Sequence, residues 1–269
     1  MPKFPLMESR AVAAPRAVTV PPEDGPSTDE TLVLQAWQGL REDVISGALA
    51  AGERLRIARL RERYGVGASP IREALSRLVS EGFVVAQERR GFVVAPMSLA
   101  EFRDLTDVRK LLEREALRQS IENGRDAWES EVLAAFHRLG KAQERLKTGE
   151  ANAMHEWEQR NEEFHEALVS ACPSLWTLRL RASVYSCMLR YRRVCLSLQA
   201  VNRSVHTEHR QLRDAALARD FVLLAQIIDI HLEATFRKVE AAGKLPARHP
   251  DVWRAKKAMK RLFIDKTMD

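Results

Sequence analysis

The chain has 269 residues, 45% of them apolar, which is enough for one large domain or two ordinary ones around a buried core. Its formal net charge of +6 and pI near 9.4 suit an anionic partner, though composition alone leaves nucleic acid, an anionic membrane and an acidic protein all open. Three cysteines without a CxxC argue against a disulfide framework and for a reducing cytoplasm; no signal-peptide pattern opens the chain, and no run reaches the ~18 apolar residues of a membrane span.

Residues 1–28 are rich in Pro, Ala and small polar residues, show no periodicity, and read as a disordered extension. Ser27 and Glu30 form a candidate capping box before a first helix, along which Val33, Trp37, Leu40 and Val44 recur at helical spacing until Gly47. A Gly-containing turn, "ALAAGERL", leads to a short helix, "RIARLRERYG". "GVGASPIREALSRLVSEG" follows, a small-residue turn ahead of a Pro-started amphipathic run. "VVAQERRGFVVAP" then reads as a hairpin, two β-branched runs around a polar turn. These elements define a unit over residues 29–96. From Ser98 to residue 243 amphipathic runs are expected at 98–122, 125–148, 151–172, 174–199, 203–219 and 221–242, joined by short links. The fold class is therefore mainly α: an N-terminal winged helix-turn-helix followed by an antiparallel bundle of six to seven helices. Residues 244–269 form a basic tail with eight Lys and Arg against three Asp. With Trp253, Met259, Leu262 and Phe263 interleaved, it could add sequence-independent DNA affinity, dock on a partner subunit, or stay solvated.

The turn and its following run have the form of a helix-turn-helix. Ile71, Leu75, Leu78 and Val79 make an apolar stripe, and Arg72, Ser76 and Arg77 fall on the opposite side. Pro70 suits the first helical turn, Ser69 is the expected cap, and the free N–H groups there would receive a phosphate. Arg89, Arg90 and Gly91 sit at the hairpin tip, where a minor groove or backbone could be met. An arginine on a solvent face is usually only that. The joint occurrence of turn, Pro-started helix, wing and basic tip in one block is what points to double-stranded DNA.

In the helical half, His165, His209 and His231 fall within expected helices. Apolar neighbours at helical spacing, Ile227, Ile228 and Ala234 around His231 and Leu168 and Val169 beside His165, turn these inward. An inward imidazole needs a partner for its ring nitrogens. Single buried histidines are mostly hydrogen-bonded core; three converging would make a metal site.

The segment "LREDVISGALAAGERLRIARLRERYGVGASPIREALSRLVSEGFVVAQERRGFVVAP" resembles the winged helix-turn-helix of GntR-family bacterial transcription factors, most specifically in "PIREALSRL" and "GERL". The helical remainder resembles the FCD-type effector domain of the FadR subfamily. The "GVG" turn, "DAWES" and "EW…FH" are similar to the carbon-starvation-inducible repressor group. The resemblance implies DNA contacts at Arg72, Arg90 and Gly91, with Ser69 and its turn on phosphates. Family members commonly carry Ser-Arg-Thr before the proline. Here Gly67, Ala68 and Ser69 stand there, so Arg59 or Arg63 on the preceding helix would supply the missing arginine. It also implies a divalent metal, zinc or another imidazole-accepting ion, held through an Asp, a His four residues later and two further His. His165, His209 and His231 match, the last two 22 residues apart; the Asp position is Asn161. With three neutral imidazoles and a neutral amide, an anionic ligand would supply the missing charge. Arg109 matches a pocket-facing arginine able to pair with a carboxylate, the alternative being a surface pair with Glu113; Asp107 is a weaker ligand candidate, and His206 a possible substitute ligand expected at the surface.

The resulting expectation is a cytoplasmic, nucleoid-associated regulator, a repressor of a catabolic operon. It would bind a near-palindromic operator as a homodimer, be released by a small carboxylate, and have no membrane partner. A metal-dependent enzyme using the histidines, and a regulator without metal, are the competing readings.

Overall fold

In the computed structural model the described residues are 28–87, 91–196 and 203–247. The extension, the hairpin tip with Arg89 and Arg90, and the tail beyond residue 247 lie outside them, as does the cap expected at Ser27. The N-terminal unit contains α1 (Thr28–Ser46), β1 (Arg54–Leu55), α2 (Ile57–Tyr64), α3 (Ala68–Ser80), β2 (Val84–Gln87) and β3 (Gly91–Val94). Gly47, at φ +83, ends α1 in a conformation that costs a glycine little. The core is built from one face of each helix: Leu40 and Val44 of α1, Leu60 of α2, and Ile71, Ala74, Leu75 and Leu78 of α3, closed by Phe83, Val84 and Val94.

Two features differ from expectation. The wing is a three-stranded antiparallel sheet in the order β1-β3-β2, with Leu55 opposite Phe92 and Gln87 opposite Gly91. The strand β1 is only two residues long, too short for alternation to show. Helix α3 also begins earlier than read from Pro70: Gly67 takes the N-cap position without a side-chain cap, and Ser69 stands inside the first turn. Pro70 is tolerated there because the N–H groups of a first turn have no helical acceptor.

The helical half consists of α4 (Leu99–Asn123), α5 (Asp126–Thr148), α6 (Ala153–Val169), α7 (Leu175–Leu196), α8 (Arg203–Leu217) and α9 (Phe221–Ala241). Ser98 caps α4, its hydroxyl accepting from the Glu101 amide at 3.2 Å, and Asp220 caps α9 through the Leu223 amide at 2.9 Å. The α4–α5 corner requires glycine: a Cβ on Gly124 would stand 2.5 Å from the Trp128 ring. Ala116, Leu117, Val132, Leu139, Phe164, Leu168, Leu212, Ile228 and Leu232 are the centre of the bundle core.

The helix α7 belongs to both halves. It packs along α4 and α9 and also against α1. Arg41 donates to the Ser186 hydroxyl at 3.1 Å, Cys187 lies 3.4 Å from the Glu81 carbonyl, Arg190 reaches the Ala95 carbonyl, and Arg193 pairs with Glu42 at 3.2 Å. Leu189 packs against the N-terminal core.

A basic helix face and a buried histidine triad

On α3 the buried side is Ile71, Ala74, Leu75 and Leu78, which leaves Arg72, Glu73, Ser76 and Arg77 facing solvent. These four are not equivalent. Arg77 pairs with Glu73 at 2.7 Å, and the Ser76 hydroxyl donates to its own helix at the Arg72 carbonyl. Arg72 has no carboxylate within ion-pair distance among the described residues, so its guanidinium is available to an outside acceptor. Of the two candidates on α2, Arg63 pairs with Asp43 at 2.7 Å, whereas Arg59 is exposed and only loosely placed, 3.5 Å from Glu53. Ser69 is exposed at the start of α3, and Gly91, at φ +78, is exposed at the start of β3.

His165 on α6, His209 on α8 and His231 on α9 converge. Their rings stand 5.0–5.3 Å apart, centroid to centroid, and a ligating nitrogen from each falls within 4.8 Å of the others. All three are buried. Burial pushes His165 and His209 well below the ordinary imidazole range, reinforced by the other imidazoles, by Arg109 beside His165 and by Arg192 beside His209. Burial lowers His231 too, against the pull of Glu208, whose carboxylate lies 2.8 Å from His231 Nδ1. That bond places the proton on Nδ1 and leaves Nε2 with its lone pair, the arrangement that orients a ligating histidine. Three neutral imidazoles with one fixed tautomer fit an imidazole-accepting divalent ion.

Asn161 is buried one turn before His165. Hydrogen bonding sets its amide nitrogen 3.2 Å from His209 Nε2 and its oxygen 3.1 and 3.3 Å from the two terminal nitrogens of Arg192. To act as a fourth ligand through oxygen, the amide would have to turn over and set its NH2 against the guanidinium, donor against donor. The fit to a metal therefore rests on the three histidines.

Arg109 is 4% exposed and pairs with Glu113, itself 1% exposed, at 3.1 Å; the pair exists, but inside the bundle and not at the surface. The other Glu113 oxygen accepts from Arg181 at 2.9 Å, and Arg181 continues to Glu166 and the His165 carbonyl. Burial alone would raise the Glu113 carboxyl; Arg181 and Arg109 outweigh it and hold it below the usual range, ionised. Asp107 has no part in this site: its side chain is 57% exposed, beside Arg103 and Lys110. His206 is half-buried against Phe136, its ring 5.4 Å away, and is not part of the triad. Sequence reading missed Glu208, Tyr185, Arg181 and Arg192. Glu208 precedes a candidate ligand and could have been singled out; the arginines of α7 give no sign in sequence of which one is buried.

Residues 32–94 match the family described as bacterial regulatory proteins, gntR family, and residues 104–234 match the FCD domain. The chain is 45% identical over 215 residues to the uncharacterized HTH-type transcriptional regulator BphR of Paraburkholderia xenovorans, covering 80% of this chain and 88% of that one. It is 35% identical over 206 residues to the HTH-type transcriptional repressor GlaR of Escherichia coli, covering 74% and 91%. Among solved structures, E. coli McbR/YncC shares the fold with a TM-score of 0.65 at 22% identity, over 79% of this chain and 99% of that one. These relatives are transcriptional regulators and not enzymes, which removes the metal-dependent enzyme from the competing readings. No helix among the described residues is long and apolar enough to cross a membrane.

Proposed function

The chain belongs to the gntR family of bacterial regulatory proteins and carries an FCD domain, and we propose that it is a repressor whose helical half lets go of DNA when a small carboxylate fills the pocket around the histidine triad. The supporting observation is the charge around the triad. Three neutral imidazoles face two guanidinium groups, Arg109 and Arg192; of the carboxylates near them, Glu113 is already shared by two arginines and Glu208 is engaged by His231. A divalent ion such as zinc would be held by His165, His209 and His231, and when bound would supply positive charge to a carboxylate. On the DNA side, α3 enters the major groove. Arg72 reaches a base edge, the open amides at Ser69 receive a phosphate, and Arg59, Ser76 and Arg77 meet the backbone. The wing, with Arg90 and Gly91, takes the adjoining minor groove. A homodimer would place two such helices on the halves of a near-palindromic operator of a catabolic operon, in the cytoplasm and on the nucleoid.

The test is retardation of labelled DNA from the region upstream of the protein's own gene, with a panel of short carboxylates. Carboxylate-dependent release is expected. Binding that no carboxylate alters, with metal present or removed, would overturn the effector reading; absence of binding to upstream DNA would overturn the operator reading.

A further inference from the structure

The two arginines beside the triad differ in how their charge is met. Arg109 is compensated by the buried Glu113 at 3.1 Å. Arg192 has no carboxylate within ion-pair distance among the described residues. Its acceptors are neutral: the Tyr185 hydroxyl at 2.9 Å and the amide oxygen of Asn161. Both terminal nitrogens of Arg192 point at that one oxygen, at 3.1 and 3.3 Å. A guanidinium edge is shaped for two acceptor atoms side by side, so a single amide oxygen fills it poorly, and the Glu162 carboxylate acts on it only from beyond ion-pair distance. A carboxylate has the two oxygens and the charge that this edge lacks.

We infer that Arg192 is the residue that takes the ligand's carboxylate, that Asn161 holds that place when no ligand is bound, and that binding needs no metal ion. The inference rests on the carboxylate-effector reading above and specifies which arginine carries it. Asn161 fits the placeholder role because its amide joins Arg192 to His209. When a carboxylate replaces the amide oxygen at Arg192, the amide is free to turn and donate to the ligand or keep its bond to His209. An aspartate at this position would be a permanent occupant: it would neutralise Arg192 and close the site to other anions. The amide at residue 161 thus leaves Arg192 open to an anion, while the three imidazoles stay open to a cation. Positions 161 and 192 would together set the ligand class as a small carboxylate with its acid group directed to α7.

The experiment is calorimetric titration of acetate, lactate and succinate into the full chain, once after exhaustive chelation and once with zinc restored, for wild type, Arg192→Met and Arg192→Lys. Wild type should bind at least one of the three after chelation. Arg192→Met should weaken that binding about 10- to 100-fold, the range of one charge-assisted pair, and Arg192→Lys should recover part of it. Zinc affinity of Arg192→Met should not fall, because removing a neighbouring cation cannot disfavour a cation. If Arg192→Met binds the carboxylate as wild type does, Arg192 is not the anchor, although the effector reading stands. If wild type binds only after zinc is restored, the metal-independent part is wrong. If none of the three binds in either condition, this inference and the effector reading fall together.

Discussion

Arg192 and Arg193 are consecutive on α7, yet the first meets Asn161 at the histidine triad and the second meets Glu42 of α1 in the DNA-binding half. A displacement of this turn of helix would therefore be felt at both ends. The Arg193–Glu42 pair is half-exposed and should contribute less than ~1 kcal/mol to stability. Glu42→Gln should therefore leave the unfolding midpoint nearly unchanged while shrinking the change in operator affinity that a carboxylate causes. Operator titrations with and without the carboxylate would show it; an unchanged ratio would exclude this route of coupling.

On the recognition helix, Arg72 and Arg77 should behave differently although both are exposed. Arg72→Ala should cost ~1–3 kcal/mol on the operator and relax discrimination between operator and scrambled DNA. Arg77→Ala should cost less, because Glu73 already competes for that guanidinium. Equal losses for Arg72→Ala on both DNAs would make Arg72 a phosphate contact.

Asn161→Asp restores a carboxylate beside the triad. It should tighten zinc and weaken carboxylate ligands, since it compensates both an ion at the histidines and Arg192. His209→Ala should abolish zinc binding and lower the unfolding temperature, because Phe164 and the other two imidazoles lose a packed neighbour. Zinc competition against a chromophoric chelator, run beside the ligand titration, reads both effects; parallel changes of zinc and ligand affinity in Asn161→Asp would contradict the charge argument.

Glu113 is the one carboxylate shared by Arg109 and Arg181, with less than a twentieth of any of the three exposed. Glu113→Ala leaves two buried cations against one exposed glutamate and should destabilise the bundle by about 3–5 kcal/mol. Glu122→Ala, which removes an exposed partner of Arg118, should cost well under ~1 kcal/mol by the same denaturant titration. Similar costs for the two would show that the Glu113 network is not held dry.

The triad also predicts a pH dependence. In the folded protein the three imidazoles titrate below their ordinary value because burial disfavours the charged form. Below about pH 6.5 the unfolded chain binds protons that the folded chain does not, so stability falls as pH falls. The steepest slope is ~4 kcal/mol per pH unit if all three stay neutral. Above that pH the histidines contribute no slope. Chelator-treated protein followed by denaturant titration between pH 5 and 8 gives the curve, and His209→Ala should flatten it.

The helices, the winged unit and the inward side of His165 and His231 were legible in the sequence, because each is a matter of periodicity along a few turns; His209 joined them only through the resemblance. The resemblance in "PIREALSRL" extended that reading to DNA contacts. Strand β1 was not legible, since two residues carry no alternation and their pairing with β3 is set by a chain segment far away. Nor was the start of α3, which Gly67 takes through backbone geometry alone. In the pocket the sequence supplied the list of histidines and the oddity of an amide at 161, but it could not tell Arg109 from Arg192. Arginine is polar wherever it stands in a sequence. Whether its charge is spent or free depends on what other helices bring to it: Glu113, 68 residues from Arg181, gathers Arg109 and Arg181 into one network, and only the packing of α4, α6, α7 and α9 leaves Arg192 facing an amide instead of an acid.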